Sequence, residues 1–546
     1  MRSKILIVVL LVIVARAHGQ VDAIVPFNAS NLPIVVINTA GVEIMDSPKI
    51  VADMGIIDNG ATRNNLSDPF NNFSGKIGIE IRGSSSQMFP KKQFGIELRD
   101  DAGVEGTAAS LLGMPEEEDW VLFAPYNDKS LMRDALAYSL GRKLGTYAPR
   151  TRFCELVLNN VYQGVYVLIE KVKRDKNRVD INKLNPDEIS GDNLTGGYII
   201  KIDKTTGGTG EGWTSDYRPP HGSTQTIQFQ YEYPDAEDLV AEQKTYIQKY
   251  VKNFEDVLKG PSYDDPTDGY AKWIDINSFV DFFIMQELTM NVDGYRLSTF
   301  LHKKRDSDGG KIFMGPIWDF NLGFGNANYC TSENTTGWAV DFNKICNADF
   351  WLIPFWWERL FQDPAFGTKV AERWSSLRST SFQKANIDAY IDSVYSVLNT
   401  EAAQRNFTAW KVLGQYVWPN AYVGNTYQEE VTFLKGWVND RLTWLDNNMP
   451  LLITATEKET EIAYPVTASP NPFSTELNFS YQLQKPGPVS IRILDALGRT
   501  VAETVIPNEA PGEYNYSWNA SGPRGLYFFH VAQGASVLGS GKLSKQ

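Results

Sequence analysis

The stretch Ile276–Gly325, INSFVDFFIMQELTMNVDGYRLSTFLHKKRDSDGGKIFMGPIWDFNLGFG, decides the fold that we predict. Its first part, Asn277–Met290, carries apolar residues at a helical spacing after an asparagine start signal. The N-x-D-G motif at Asn291–Gly294 breaks this pattern as a turn. Two strand-like runs follow, Tyr295–His302 and Lys311–Ile317, joined by a polar turn. The stretch therefore predicts a helix, a loop and a β-hairpin in that order.

Two acidic residues mark the ends of this hairpin. Asp293 lies in the turn after the helix, and Asp319 follows the second strand, 26 residues later (319 − 293). Because a hairpin brings its two ends together, the two carboxylates can meet. A protein-kinase C-lobe presents its catalytic and its metal-binding aspartate in this order. The alternative stays open, since aspartate in such a motif is commonly a turn former and Trp-Asp-Phe commonly belongs to a core.

The composition is that of soluble globular domains. The chain has 546 residues, of which 21% are charged, so two to four domains are expected. Its net charge of −13 excludes a nucleic-acid partner, because phosphate backbones are bound by clustered lysine and arginine. The aromatic content of 12% fits a packed core or a carbohydrate platform.

The N-terminus has the pattern of a secretory signal peptide. A basic start is followed by a short apolar run and by small residues before Gly19, so residues 1–19 are predicted to be cleaved. No later segment approaches the roughly 18 apolar residues of a membrane span, so we expect an exported protein without a transmembrane segment. In an oxidising compartment, Cys330 and Cys346 are the plausible disulfide, and Cys154 in an apolar strand is expected to be buried.

The rest of residues 20–450 divides into a β-rich half, to about residue 235, and a helical half from about 236. This order predicts an α+β fold with two lobes and a cleft between them. In the β-rich half, the predicted hairpin Lys76–Arg99 gathers Arg82 and Lys92 at its tip. Such a donor-rich tip could hold a phosphate, and a solvated loop is the alternative.

After a linker at residues 451–462, the pattern changes again. Residues 463–546 contain six or seven short strands bounded by turns, which predicts a small all-β sandwich. It holds no clustered acids or histidines, so no chemistry is assigned to it.

Several blocks of the first region resemble the spore-coat protein H (CotH) kinase family. They are IRGSSSQMFPKKQFGIELRD, DWVLFAPYNDKSLMRDALAYSLGRKLG, LVLNNVYQGVYVLIEKVKRDKNRVDI, TGGYIIKID and GPIWDFNLGFG. The resemblance covers most of Leu32–Asn448. It implies an atypical protein-kinase-like two-lobe fold, with a β-rich N-lobe and a helical C-lobe, that binds ATP and Mg²⁺ and phosphorylates serine or threonine of proteins.

The resemblance also implies roles for single residues. Asp293 maps to the catalytic acid and Asp319 to the metal-binding acid. The implied cofactor-binding residues of the β-rich lobe are Lys201, Glu170, Arg82 and Lys92. The sequence departs from kinases in having neither a glycine-rich phosphate loop nor an H-R-D triplet. Asn321 stands where a second acid is common in this family, which puts a second metal contact in doubt.

The C-terminal region resembles the sorting domain of type IX secretion. The matching text is SPNPFSTELNFSY, IRILDALGRTV and GEYNYSWNASGPRGLYFFHV, with a lysine-rich end. This resemblance implies passage through the periplasm, contact with the type IX machinery and delivery across the outer membrane, so that the protein is secreted or lies at the outer cell surface.

Three functions remain open at this stage. The first is a secreted CotH-like kinase that transfers phosphate from ATP to a surface or extracellular protein. The second is a catalytically idle kinase-like module that binds a partner or serves a structural role, because ATP is scarce outside cells. The third is a glycan-binding or carbohydrate-active surface protein, which export and the aromatic content would suit.

Overall fold

The structure is a computed structural model that describes residues 21–204, 211–222, 224–449, 452, 466–483, 486–495, 499–520, 522–533 and 536–546. The predicted signal peptide lies outside the described residues, as does almost all of the predicted linker. The chain divides into two units, Met1–Thr456 and Glu457–Gln546. Among the residues that the structure describes, every helix is too short or too polar to cross a lipid bilayer.

The first unit begins with a closed β-barrel. The first nine strands are β1 (Ala29–Ser30), β2 (Ile34–Asn38), β3 (Ile50–Ile57), β4 (Asn64–Asn65), β5 (Phe73–Ile81), β6 (Phe94–Arg99), β7 (Asp119–Phe123), β8 (Thr151–Leu158) and β9 (Val161–Glu170). Seven of them close in the order β2-β3-β5-β6-β7-β9-β8. The pairing of β2 with β8 is parallel and the others are antiparallel. Alternate side chains such as Ile77, Ile79, Ile96 and Leu98 fill the barrel core.

A second sheet follows and carries the predicted hairpin. Its strands are β10 (Tyr198–Ile202), β11 (Gly212–Thr214), β12 (Gln228–Tyr233), β13 (Thr299–Lys303) and β14 (Ile312–Met314), in the order β11-β12-β10-β13-β14. The β13–β14 hairpin confirms the prediction, but both strands are shorter than expected. Tyr295 and Ser298 have φ angles of 67° and 47°, so the chain turns there before it can extend.

The helical half of the first unit is also confirmed. The helices are α1 (Arg133–Arg142), α2 (Gly191–Leu194), α3 (Ala241–Lys259), α4 (Ile276–Thr289), α5 (Phe342–Ile345), α6 (Trp356–Leu360), α7 (Pro364–Ser379), α8 (Lys384–Leu398), α9 (Ala402–Ala409) and α10 (Tyr427–Asn448). Helix α4 is buried on nearly all sides, as its apolar sequence predicts. Asp275 caps its start by accepting a hydrogen bond from the Ser278 N–H, and left-handed Met290 ends it.

Both expectations about the cysteines are confirmed. Cys330 and Cys346 form a disulfide with their Cα atoms 5.8 Å apart, and Cys154 is free and buried. The disulfide closes a loop that begins soon after the Trp-Asp-Phe segment.

The second unit is all-β, as predicted. Its strands are β15 (Thr467–Ser469), β16 (Glu476–Leu483), β17 (Gly487–Asp495), β18 (Thr500–Glu509), β19 (Gly512–Asn519), β20 (Gly525–Gln533) and β21 (Ser536–Lys545). They form a three-stranded and a four-stranded sheet, and buried side chains from both sheets share one core.

Candidate functional site

The loop after α4 and the segment after β14 bring Asp293 and Asp319 together. Asp293 lies in the turn that follows Met290, and Asp319 has a left-handed φ of 63°. The backbone of Asp319 is held at both ends: its N–H donates to the Tyr138 hydroxyl at 3.1 Å, and its carbonyl accepts from Asn291 Nδ2 at 3.2 Å. A non-glycine residue in this conformation is uncommon, and such residues concentrate at functional sites.

Negative charge is in excess around Asp319. Burial, followed by the charges of Asp293 and Asp203, raises the pKa of its carboxyl to about 6, against the opposing pull of Arg82 and Lys204. Asp203 comes from the end of β10, and its own pKa is raised by burial, which Lys201 opposes. Two carboxylates from other parts of the chain, Asp293 and Asp203, therefore interact with that of Asp319.

Arg82 is the cation that faces these acids. It follows β5 at the hairpin tip, and its guanidinium lies 5.5 Å from the centre of the Trp318 ring. Burial lowers the pKa of Arg82, while the negative charge of Asp319 raises it. The structure thus brings Arg82, at the tip of the predicted hairpin, close to the acidic group.

Lys201 is fixed by a carboxylate that sequence reasoning missed. Its Nζ lies 2.8 Å from Oε2 of Glu232 on the neighbouring strand β12. Burial lowers the pKa of Lys201, but the charge and hydrogen bond of Glu232 outweigh it, so the pKa is raised. The alternating sequence TIQFQYEY predicts a strand that contains Glu232, but it does not indicate which strand would pair with it.

Asp293 has a partner of its own. Nη2 of Arg296 lies 2.8 Å from its Oδ1, and Nη1 of the same guanidinium lies 3.2 Å from Asp349 Oδ1. Arg296 is buried, so it fixes the carboxylate of Asp293 in one orientation. Sequence reasoning also missed this residue, although its i,i+3 spacing from Asp293 was a signal.

Two of the predicted cofactor-binding residues are engaged elsewhere. Glu170 is fully buried and accepts from Arg150 Nη1 at 2.8 Å and from the Arg150 N–H at 2.9 Å. Lys92 donates to the carbonyl of Gln87 at 2.6 Å. Within the described ranges, neither side chain has a hydrogen bond or ion pair with Asp293, Asp319 or the cations beside them. Glu232, and not Glu170, is the partner of Lys201.

The donor set suits a hard cation. Asp203, Asp293 and Asp319 offer only oxygen, the donor that Mg²⁺ prefers. The pKa of Asp319 is raised first by burial and then by the neighbouring Asp293, and a divalent cation at this carboxylate would favour its charged form. Asn321 offers an amide and not a carboxylate, and its Nδ2 donates to Asn127 Oδ1 at 3.2 Å.

A second acidic group in the first unit already surrounds a cation. Glu117, Glu118 and Asp119 are the described residues that bring three carboxylate oxygens within 4.8 Å of one another. The Lys173 ammonium lies 3.3, 2.9 and 2.7 Å from these three carboxylates in turn. A lysine therefore occupies the position that a metal ion would take.

Residues 79–445 match the family model described as CotH kinase protein. The match spans more than half of the chain and includes Asp203, Asp293 and Asp319, so the chain belongs to the CotH kinase family. Residues 468–544 match the model described as secretion system C-terminal sorting domain. The protein is therefore a CotH-family protein with a type IX sorting domain, which indicates export to the cell surface or secretion.

One curated relative and one solved structure complete the comparison. The inner spore coat protein H of Bacillus subtilis (strain 168) is 31% identical over 96 residues, which are 18% of this chain and 24% of that protein. The chain thus matches about a quarter of the relative's length. The Pseudomonas fluorescens alkylpurine DNA glycosylase AlkC bound to abasic-site DNA aligns at 13% identity with a TM-score of 0.12, over 36% of this chain and 56% of its own.

Proposed function

We propose that the first unit transfers phosphate from Mg·ATP to a serine or threonine hydroxyl of a surface or extracellular protein. The observation that carries this proposal is that the charges of Asp293 and Asp203 both act on the buried carboxyl of Asp319, together with Arg82, which in turn interacts with the Lys201–Glu232 pair. Phosphoryl transfer needs carboxylates for the metal, cations for the phosphates and an acid for the acceptor hydroxyl.

Each residue then has a physical task. Asp319 and Asp203 would hold Mg²⁺, which neutralises the charge of the phosphates when it is bound. Lys201 and Arg82 bind phosphate oxygens, and Glu232 keeps the Lys201 ammonium in place. Asp293, oriented by Arg296, accepts the hydrogen bond of the acceptor hydroxyl and takes up its proton.

The test is transfer of labelled phosphate from ATP to the protein itself and to a serine/threonine peptide library. We expect Asp293→Asn and Asp319→Asn each to lower the rate by about 10²-fold or more, the usual effect of removing a group that stabilises transition-state charge. Asp319→Asn also weakens Mg·ATP in calorimetry, whereas Asp293→Asn leaves that affinity nearly unchanged. Asp446→Asn, in an exposed pair with Arg378, is the control. Wild-type rates in both test variants would overturn the proposal.

A second function, an idle module that binds nucleotide or a partner without turnover, is favoured by Asn321. This residue, whose Nδ2 donates a hydrogen bond to Asn127 Oδ1, stands where a second acid is common in the family. Calorimetric binding of Mg·ATP without any transfer would support this function over the first. Absence of both binding and transfer would remove the nucleotide from the function altogether.

A further inference from the structure

The guanidinium of Arg296, which pairs with Asp293, is enclosed by three groups from a segment distant in the chain. It lies over the ring of Phe342, with its central carbon 4.1 Å from the ring centre. Its Nη1 lies 3.2 Å from Asp349 Oδ1 and donates to the Trp351 carbonyl at 3.1 Å. We call Phe342, Asp349 and Trp351 the arginine clamp. The direction of this arginine, and through it that of Asp293, depends on the position of the clamp.

Asp349 is held through both its side chain and its backbone. Its Oδ1 also accepts from the Trp351 N–H at 2.8 Å, and its carbonyl accepts from Gln225 Nε2 at 2.9 Å. Its own N–H donates to the Cys346 carbonyl at 3.0 Å, so it belongs to a turn that begins at a disulfide cysteine. The side chain of Arg296 is 3% exposed, so water has little access to replace the carboxylate of Asp349.

The disulfide joins the arginine clamp to the loop that carries Asp293. Cys346 follows α5, and its N–H donates to the Phe342 carbonyl at 2.7 Å, so one helical turn links the sulfur to the ring of the clamp. Its partner Cys330 lines a small cleft together with the two residues that directly precede Asp293. One covalent bond therefore connects the clamp to the side of the loop that it must serve.

Two neighbours of Cys330 place this end of the disulfide beside the acidic centre. Ser332 donates its hydroxyl to the Met290 carbonyl at 2.8 Å, where α4 ends. Burial, followed by the charge of Asp293, raises the pKa of Tyr329. The geometry and the charge interaction therefore agree that the chain around Cys330 adjoins the turn after α4.

Other contacts also hold the chain around α5. Asn343 Nδ2 donates to the Ile353 carbonyl at 2.8 Å, and its Oδ1 accepts from the Ile353 N–H at 2.8 Å. The carboxylate of Glu287 accepts from the N–H groups of Ala339 and Val340 at 2.7 and 2.9 Å. Opening the disulfide is therefore expected to loosen the arginine clamp locally while the first unit stays folded.

We propose that Asp349 is a positioning residue for Asp293 and that the Cys330–Cys346 disulfide switches it on. This inference rests on the proposed role of Asp293. In the dithiol state the arginine clamp is no longer tied to the loop, so Arg296 does not hold the carboxylate of Asp293 towards the acceptor hydroxyl. Oxidation of the two thiols forms the S–S bond and releases two protons and two electrons. A disulfide-bearing oxidoreductase takes them up as its own disulfide becomes two thiols. Transfer is therefore slow until export brings the chain into an oxidising compartment.

The first measurement is hydrogen exchange of the full chain, followed by mass spectrometry, before and after reduction with dithiothreitol. Dithiothreitol becomes a cyclic disulfide as it forms the two thiols, and it has one bond to act on, since Cys154 is free. We expect exchange about tenfold faster in residues 291–297 and 347–351, and unchanged exchange in β2 and β8. The double variant Cys330→Ser, Cys346→Ser should exchange like the reduced protein and should not respond to dithiothreitol. This readout requires no phosphate transfer.

The second measurement is the steady-state rate of phosphate transfer. Reduction and Asp349→Asn should each lower kcat by at least about tenfold with the KM for Mg·ATP unchanged, because misdirection of Asp293 acts on the transfer step. Asp349→Glu, which keeps a carboxylate for the arginine, should restore part of the rate. Asp341→Asn removes an acid of the same disulfide loop that pairs with Lys344 at 2.6 Å, and this matched control should keep the wild-type rate.

Equal exchange of residues 291–297 in the oxidised and reduced protein would overturn the proposal, with or without phosphate transfer. A wild-type kcat in Asp349→Asn would also overturn it. So would a rise in the KM for Mg·ATP in proportion to the loss of kcat, which would mean that Asp349 supports the fold and not Asp293. Faster exchange on reduction in a protein that transfers no phosphate would support the switch and refute the proposed function.

Discussion

Two groups of three carboxylates in the first unit differ in how their charge is balanced. Glu117, Glu118 and Asp119 surround the ammonium of Lys173, which contacts all three. Asp203, Asp293 and Asp319 face Arg82, which is itself disfavoured as a charged group by burial. The first group is complete without any ligand, whereas the second retains an excess of negative charge.

The pKa directions of one member of each group express this difference. Burial raises the pKa of Asp119, but Lys171 and Lys173 outweigh burial, and the pKa is lowered. Burial and the neighbouring Asp293 raise the pKa of Asp319 to about 6. Close spacing of acids alone is therefore a poor guide to a metal site. A better guide is whether neighbouring cations balance the negative charge of the acids.

The largest expected effect is that two isosteric substitutions, Asp319→Asn and Asp119→Asn, change the free energy of unfolding in opposite directions. The raised pKa of Asp319 means that ionisation costs stability as pH rises from about 4 to 6, so Asp319→Asn raises the free energy of unfolding at pH 7 by about 1–3 kcal/mol. The lowered pKa of Asp119 contributes stability above its unfolded value of about 4, and this is lost as pH falls through the folded pKa. Asp119→Asn therefore destabilises at pH 7.

Urea unfolding of both variants and wild type at pH 4 and pH 7 measures this contrast. The gain from Asp319→Asn should shrink towards pH 4, and at pH 7 Mg²⁺ should stabilise wild type but not this variant. Destabilisation by both substitutions at pH 7 would mean that the charge of the two acidic groups is balanced in the same way.

The next effect concerns the cation of the balanced group. Lys173→Met leaves three acids facing one another, and we expect a loss of about 2 kcal/mol at pH 7, between the values for exposed and buried pairs. The variant should regain stability on addition of Ca²⁺, because the vacated position then accepts a divalent cation. Thermal unfolding with and without Ca²⁺ measures this. Lys435→Met, which breaks an exposed pair with Asp392, serves as control. An unchanged Tm in Lys173→Met would show that the lysine does not stabilise the group.

The smallest effect is expected at Lys92. Its ammonium donates to the Gln87 carbonyl and, among the described residues, forms no ion pair with the acids, so Lys92→Met should change the free energy of unfolding by less than about 0.5 kcal/mol. Affinity for Mg·ATP should also stay within experimental error. Calorimetric titration checks this, with Lys201→Met as the positive comparison. A marked loss of affinity in Lys92→Met would restore it to the phosphate-binding set that the family resemblance implied.

Local patterns were sufficient for part of this molecule. A hairpin that joins Asp293 to Asp319 was predicted from the apolar spacing in α4, the N-x-D-G turn and the polar turn after β13. The two aspartates lie at the two ends of this hairpin. The disulfide was predicted because the chain has only three cysteines and is expected to reach an oxidising compartment. These features depend on residues close together in the chain or on very few candidates.

Long-range pairing was beyond the sequence. Glu232 meets Lys201 because β12 pairs with β10 across a shift in register, and no local pattern gives that register. Glu170 ends its strand as an acid of ordinary appearance, and only the fold shows that Arg150 holds it in the interior. Barrel closure depends on a parallel pairing of β2 with β8, which lie more than a hundred residues apart.

That closure has a practical consequence for anyone who expresses this protein in pieces. The family match begins at residue 79, but β2, β3 and most of β5 precede it. A clone limited to the matched range would lack β2, β3 and most of β5. Strands β6 and β8 would then be unpaired edge strands, which favour aggregation. Expression should therefore begin upstream of Ile34, whatever the family boundary suggests.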